Sequence, residues 1–385
     1  MKKVDKKISV WYIFYMKFYK NDNFVINYDI LKLNDVKIVT ISSSQLKDDK
    51  DFKILVKVGD FVKIGTKILE NKNGQKILSS VSGKVVKIGT EKDVFDNLCQ
   101  IIQIENDFKN EKEIEELKLE NINDFFTLCK EYGLMNNKFY FYDYFVNVNK
   151  TKKLYINAKN TQFNFINKII EKNYFNEING VIEFLTKLFS IKKVVFCVDK
   201  NDKNFYKNSV KNCSKIQTKL NKNCLNFVDL LNIFNAKNFV KQTNVYLCVS
   251  GGAIKNNGLI IVPIGTKIND VIEKLGGFKQ DIEEIENYKY TALLAYNDEI
   301  EIKNKIKVCK NSEDKQKLEK LLVKKQQEAK ENVFNNLNIY YEKFLNCLSC
   351  CVVNSIKDKN FLKDFNKSIQ NHIASISFLS QKEFH

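Results

Sequence analysis

The chain has 385 residues, of which 44% are hydrophobic and 12% aromatic, enough for roughly two to four domains with real cores. Its formal charge is +17, but all 63 basic residues are lysine. Nucleic-acid readers rely on arginine forks for bidentate contacts, and these lysines are scattered among Asn, Ile and Phe, so the charge speaks against a nucleic-acid partner. It fits a weak attraction to anionic membrane surfaces, to which each nearby lysine adds about 1 kcal/mol.

In chain order, the N-terminus (MKKVDKKISVWYIFYMKFYK) is a basic-aromatic extension over residues 1–27. Its apolar run, Ile8 to Met16, is shorter than the ~20 residues a spanning helix needs. It has no small-residue cleavage site, and Met16 is an alternative start. No other stretch is expected to span a membrane. From Ile54 to Ile104 the pattern is β throughout, with VGDxVxxG at Val58–Gly65 and VSGKVVKI at Val81–Ile88 as two quasi-repeated halves. The hairpin between them, Glu70 to Ile77, offers Lys72 and Lys76 but not the flanking residues of a carrier lysine. A charged linker follows over 105–122, then a helix over Phe125–Met135. Strand Leu154–Asn157, helical run Phe165–Phe189 and strand Lys192–Val198 alternate as in a βαβ unit with a parallel sheet. Asp199 and Asp202, after the second strand, read better as turn residues than as a site.

Val249 to Phe278 holds six of the thirteen glycines and the only proline, Pro263. The spacing predicts strand Val245–Val249, a Lys255–Gly258 turn, strand Leu259–Ile264 and a helix capped by Thr266. Ile268, Val271, Ile272 and Leu275 form its apolar stripe, and Gly276 takes the left-handed position at its end. This is the order of a small β-grasp module. The glycines read as turn formers, because no GxGxxG or GxxxxGK[ST] is present. Tyr288–Tyr296 and Ile300–Val308 look strand-like, and Glu313–Leu337 is a lysine- and glutamate-rich helix. Seven of the ten cysteines are isolated, which fits a reducing cytoplasm rather than a disulfide scaffold. Cys197 and Cys248 are expected as buried small hydrophobes. The tail carries Cys347, Cys350 and Cys351.

The motifs VKVGDxVxxG…VSGKV, IIQIEND (Ile101–Asp107), INA (Ile156–Ala158), VDKND (Val198–Asp202) and SGGAIKN…VPIGT…LGGF occur in this order over most of residues 54–280. Together they resemble the RnfC family of the Rnf electron transport complex, an ion-translocating ferredoxin:NAD oxidoreductase. More distantly they resemble the NqrA component of the sodium-translocating NADH:quinone reductase. The resemblance implies a mixed α/β multidomain chain. Its parts would be a barrel-sandwich hybrid (28–108), a Rossmann-like NADH/FMN-binding domain (123–240), a β-grasp (SLBB-type) module (243–300) and a helical tail with a remnant iron–sulfur motif (311–385).

The sequence departs from that family at its cofactor motifs. Where the family has approximately GIVGxGGAGFPT, this chain has Gly133–Phe145 (GLMNNKFYFYDYF); only Gly133 is kept, and Phe139, Tyr140 and Phe141 replace small residues. In the N-x-A-E-C-E-P element Asn157 is kept, while Asn160 and Gln162 replace the acids. GGPMMG aligns only with Glu286–Ala292. Of the two CxxCxxCxxxCP runs, Cys347 and Cys350 keep the first pair; Val353 and Lys357 hold the next two positions, and Cys351 is the available substitute. By resemblance, then, Gly133 and Asn157 are the residual FMN and NADH contacts and Cys347, Cys350 and Cys351 the residual 4Fe-4S ligands, with each site reduced. His372 and His385 are too few for a good Cys/His zinc site. The implied role is a peripheral protein on the cytoplasmic face of the membrane, docked to membrane-embedded Rnf-like subunits and devoid of its own span. The alternatives are an electron-transfer oxidoreductase with a remodelled site and a β-grasp protein that binds a small ligand.

Overall fold

The computed structural model describes residues 29–46, 51–136, 138–160, 165–210, 213–220, 223–279, 301–309, 311–326, 348–353, 361–362, 364–370 and 375–380. The N-terminal extension, Tyr288–Tyr296, Gln162 and Cys347 lie outside these residues. The described strands form four sheets.

After a short strand β1 (Ile30–Lys32), strands β2 (Ile38–Ser42), β3 (Phe52–Ile54), β4 (Phe61–Val62), β5 (Lys67–Asn71), β6 (Lys76–Leu78), β7 (Gly83–Lys92) and β8 (Leu98–Asn106) follow in close succession. They form a four-stranded sheet, β2-β8-β7-β4, and a three-stranded one, β3-β5-β6. Val39, Ile41, Ile68, Val85, Ile102 and Ile104 are fully buried in one shared core. The turns carry the glycine pattern. Gly59 N–H donates to Val85 at 2.8 Å and Val85 N–H returns to Asp60 at 2.8 Å, which locks the first quasi-repeat onto the second. Gly83 lies at φ +151°, and a Cβ there would sit 1.9 Å from the Glu105 carbonyl oxygen; no side chain fits.

The Glu70–Ile77 hairpin is not a free arm. Lys76 pairs with Glu70 at 2.6 Å, and the hairpin tip is held by Asn71, whose side chain accepts from Asn73 and Gln75. The charged linker is likewise laid onto the barrel: Ile64 donates to Glu111 and Glu113 donates back to Ile64, both at 2.8 Å.

The second layered region contains helices α1 (Ile122–Glu131) and α2 (Phe141–Thr151), strand β9 (Lys153–Asn157), α3 (Ile166–Phe189), β10 (Lys193–Cys197), α4 (Lys203–Ser209), β11 (Lys215–Gln217), β12 (Leu225–Asn226) and α5 (Phe227–Lys237). All strand pairings are parallel, in the order β11-β10-β9-β12. The βαβ alternation read from the sequence is present, and the strand order reverses between β9 and β12. Aromatic rings pack α1 to α2 and α3: Phe125 meets Phe145 edge-on at 4.9 Å and Phe189 at 5.4 Å.

The remaining sheet has six strands, in the order β1, β14 (Gly258–Pro263), β13 (Asn244–Ser250), β17 (Ser375–Ser380), β15 (Leu348–Val353) and β16 (Phe361–Leu362). Strands β13 (Asn244–Ser250) and β14 (Gly258–Pro263) form the expected hairpin, followed by α6 (Ile268–Lys274). The Ile268, Val271, Ile272 and Leu275 stripe is buried, and Gly276 takes φ +85°. Thr266 does not cap α6; its hydroxyl donates to Pro263 O at 2.7 Å. The first helical amides, Ile268 and Asn269, are instead satisfied by the carbonyls of Lys367 and Phe365.

Two expectations are corrected here. The tail is helical over 312–326, but not throughout: Leu348–Val353 (β15), Phe361–Leu362 (β16) and Ser375–Ser380 (β17) are strands. β17 runs parallel to β13 and antiparallel to β15. The runs LSCCVV and SISFLS are rich in residues that suit a pleated, half-buried surface, and β13 offers them a hydrogen-bonding edge. Residues 301–308, which alternate like a strand, are helical; Ile302 and Ile306 are also spaced i, i+4, and Glu301 pairs with Lys305 at 2.7 Å across one turn.

The tail also ties the six-stranded sheet to the barrel. Buried Gln370 donates to Thr40 O at 2.7 Å and accepts from Ser42 N at 3.1 Å and Gln45 Nε2 at 2.8 Å. Gln370→Ala removes the side-chain acceptor of the buried Ser42 N and the side-chain donor to Thr40 O, so a loss of about 1–3 kcal/mol is expected. Denaturant unfolding with an unchanged m-value checks this.

Candidate functional site

In an open parallel sheet, ligands bind beyond the carboxyl ends of the strands where the strand order reverses. Here that point lies between β9 and β12, with Asn157 and Asn226 in register across it. The residues leaving both strands, the start of α3 and the start of α5 surround it.

Side chains of the chain itself occupy its hydrogen-bonding groups. Asn157 accepts from Lys159 N at 3.1 Å, the turn expected of an Asx residue. Asn160 accepts from Lys168 N at 3.0 Å, in the first turn of α3. Asn167, buried, donates to Lys159 O at 2.8 Å and accepts from Phe227 N, the first amide of α5, at 3.0 Å. Asn226 caps α5: its oxygen accepts from Asp229 N at 2.8 Å, and the Asp229 carboxylate accepts from Asn226 N at 2.8 Å. Three helix-start amides, those of Lys168, Phe227 and Asp229, are thus bonded to asparagine, where a helix start can otherwise hold a phosphate.

Asp229 adds a buried carboxyl. It is 2% exposed, and its carboxylate accepts from Asn136 Nδ2 at 2.9 Å. Burial pushes its carboxyl up to about 7, against the hydrogen bonds from Asn226 and Asn136, which favour the charged form. Above about pH 7, where it is charged, it opposes an anion at that helix start.

Gly133 and Asn157 make different contacts. Gly133, at φ +67°, ends α1 where a Cβ would lie 3.2 Å from Lys76 O of β6; it permits close packing of α1 on the barrel. The loop after it reaches the α5 start through Asn136, while Phe139 stacks on Tyr144 at 4.7 Å and Phe141 is fully buried. Side chains fill this loop. Asp199 joins the β9 exit, accepting from Asn160 N at 3.3 Å with Lys159 Nζ at 3.8 Å, whereas Asp202 is exposed. Cys350 and Cys351 lie on β15, Cys351 in register with Leu362 and Phe378; Cys347 is outside the described residues. Among the described residues, no group of three or more His, Cys, Asp or Glu could hold a metal ion. The seven isolated cysteines form no disulfide. Cys197 and Cys248 are buried, and burial pushes the Cys248 thiol up to about 12.

Sequence reasoning missed Asn136, Asn167, Asn226 and Asp229. The spacing Asn226-Phe-Val-Asp229 before Leu230-Leu231 is a capping-box signal that could have placed the α5 start; the Asn136 and Asn167 contacts are tertiary and left no local trace.

A separate cleft of about 350 Å³ opens between the barrel, the charged linker and the six-stranded sheet. Asn34, Asn106 and Thr243 line it, with Phe239 and Val240 half-exposed beside them. Lys241 is buried there and reaches Gly65 O at 3.2 Å, Glu115 at 3.5 Å and Glu113 at 3.8 Å.

No helix among the described residues is long and apolar enough to cross a membrane. Comparison with curated proteins gave no match. Residues 27–109 match the family model described as the RnfC barrel sandwich hybrid domain; the seven-stranded N-terminal region of this chain is therefore RnfC-like.

Proposed function

We propose that the chain is a divergent RnfC-like, peripheral member of an Rnf-type membrane electron-transport complex. It acts in assembly or docking, its NADH, FMN and 4Fe-4S sites being lost or reduced. The RnfC-like N-terminal region supports the family assignment. A parallel sheet with one reversal supports a Rossmann-like ancestry of the second region, and the order β14-β13-β17-β15-β16 around α6 supports an SLBB-type β-grasp, here completed by the tail. The observation that carries the loss of function is the switch point: Phe227 and Asp229 amides are bonded to Asn167 and Asn226, with the Asp229 carboxylate behind them. FMN and NADH phosphates do not fit such a site.

The test is isolation of the tagged chain from its native membranes. Co-purification with membrane-embedded Rnf-like subunits, without flavin or iron in the chain itself, is the expected result. A chain that carries stoichiometric flavin or iron and reduces a dye with NADH would instead be the remodelled oxidoreductase. The cleft beside Lys241 favours a second reading, a β-grasp protein that binds a small polar ligand. A stabilising metabolite in a thermal-shift screen, with no membrane partner recovered, would support that reading.

A further inference from the structure

Thr243 lines the cleft beside Lys241 and is 5% exposed, yet its hydroxyl makes no hydrogen bond among the described residues. Its carbonyl is already used, accepting from Ile264 N at 3.0 Å. A buried hydroxyl without a partner in its own chain calls for one from outside. On the barrel side of the cleft, buried Ser80 donates to Ile264 O at 2.6 Å and keeps its lone pairs. At the rim, the exposed Asn34 and Asn244 amides are likewise unbonded among the described residues. Asn110 spends its nitrogen on Phe108 O at 3.2 Å and keeps its oxygen. Phe239, half-exposed, and Pro263 supply an apolar wall.

The charges at the cleft cancel. An ammonium has three donors, and Lys241 is already surrounded by Gly65 O, Glu113 and Glu115. Glu113 also accepts from the Thr66 hydroxyl at 2.6 Å. An anionic ligand would find only Lys112, exposed at the rim; a cation would find Glu113 committed.

We infer that this cleft binds a small uncharged molecule rich in hydroxyl groups, of the sugar or nucleoside class. Hydroxyls both donate and accept, as do the groups left spare here, and the Phe239 ring can cover an apolar ligand face. The volume of about 350 Å³ lies within the range of small-molecule sites. The inference rests on the small-ligand reading given above and narrows its ligand to one class.

The full chain is titrated calorimetrically with glucose, ribose, adenosine and uridine, and with glucose phosphate, adenosine monophosphate and arginine as charged probes. At least one neutral probe is expected to bind with Kd below about 1 mM, and every charged probe at least about tenfold more weakly. The sugar and nucleoside arms separate the two sources. Thr243→Val removes a hydroxyl that has no partner in the chain, so the thermal transition should stay within a few degrees while affinity falls at least about tenfold. If that variant fails to fold, Phe239→Asn serves instead, because Asn tolerates the left-handed backbone at φ +60°; it should weaken binding likewise. No binding of any neutral probe, tighter binding of a charged one, or wild-type affinity in the folded variants overturns the inference. The small-ligand reading itself falls only if a broad metabolite screen is also blank.

Discussion

Gly83→Ala is expected to be the most damaging single substitution in the barrel. The added Cβ would lie 1.9 Å from Glu105 O and 3.1 Å from Asn106 Cα, both backbone atoms of the neighbouring strand. Neither atom can move without disturbing the β7–β8 ladder, which runs from Gly83↔Asn106 to Lys92↔Leu98 with one register shift between Val85 and Lys87. The residue also sits at φ +151°, a region that L side chains rarely occupy. Strain and clash together should cost more than about 3 kcal/mol. Gly59→Ala is the matched control. Gly59 has φ +100° but open space where its Cβ would go, so only backbone strain of about 1–3 kcal/mol applies. Urea unfolding should rank the two variants in this order; equal losses would mean that the close approach of β7 and β8 is not a constraint.

Asp229→Asn should change the pH dependence of stability more than any other single change. The native carboxyl binds its proton up to about pH 7, against an ordinary value of 3.8. Between these values the native state holds more protons than the unfolded state, so stability falls as pH rises from about 4 to about 7 and then levels off. The loss attributable to this group is on the order of 4 kcal/mol. The amide oxygen of Asn can accept from both Asn226 N and Asn136 Nδ2, the present donors to the carboxylate, and carries no charge to desolvate. The variant should therefore match the wild type near pH 4 and exceed it at pH 8. Asp229→Ala, which removes the acceptor from both donors, should be destabilised at both pH values. Thermal unfolding across this range gives the comparison; parallel curves for wild type and Asp229→Asn would contradict the assignment.

What the sequence reveals depends on how local the determinant is. Glycines at tight turns, the β-branched runs of the barrel and the β13–α6 stripe are local, and the structure places them where the pattern predicts. The end of the tail is not local. Nothing near Leu348 says that β13, about a hundred residues earlier, offers it an edge through β17, so the helical period upstream carries the reading too far. The candidate site divides in the same way. The bulky run Phe139–Phe141 is visible as composition, and Phe141 is buried. The role of Gly133, by contrast, is set by the Lys76 carbonyl of a separate sheet. The asparagines that occupy the helix starts act across loops, from Asn160 to Lys168 and from Asn167 to Phe227, a span no local motif covers.

We propose that the chain's own side chains fill the switch point at which a related chain would hold a nucleotide. Equilibrium titration of the purified full chain with FMN, and separately with NADH, tests this most directly. No saturable binding below about 1 mM is expected for either. Stoichiometric binding in the micromolar range, abolished by bulky substitutions at the switch point such as Asn160→Trp, would contradict it.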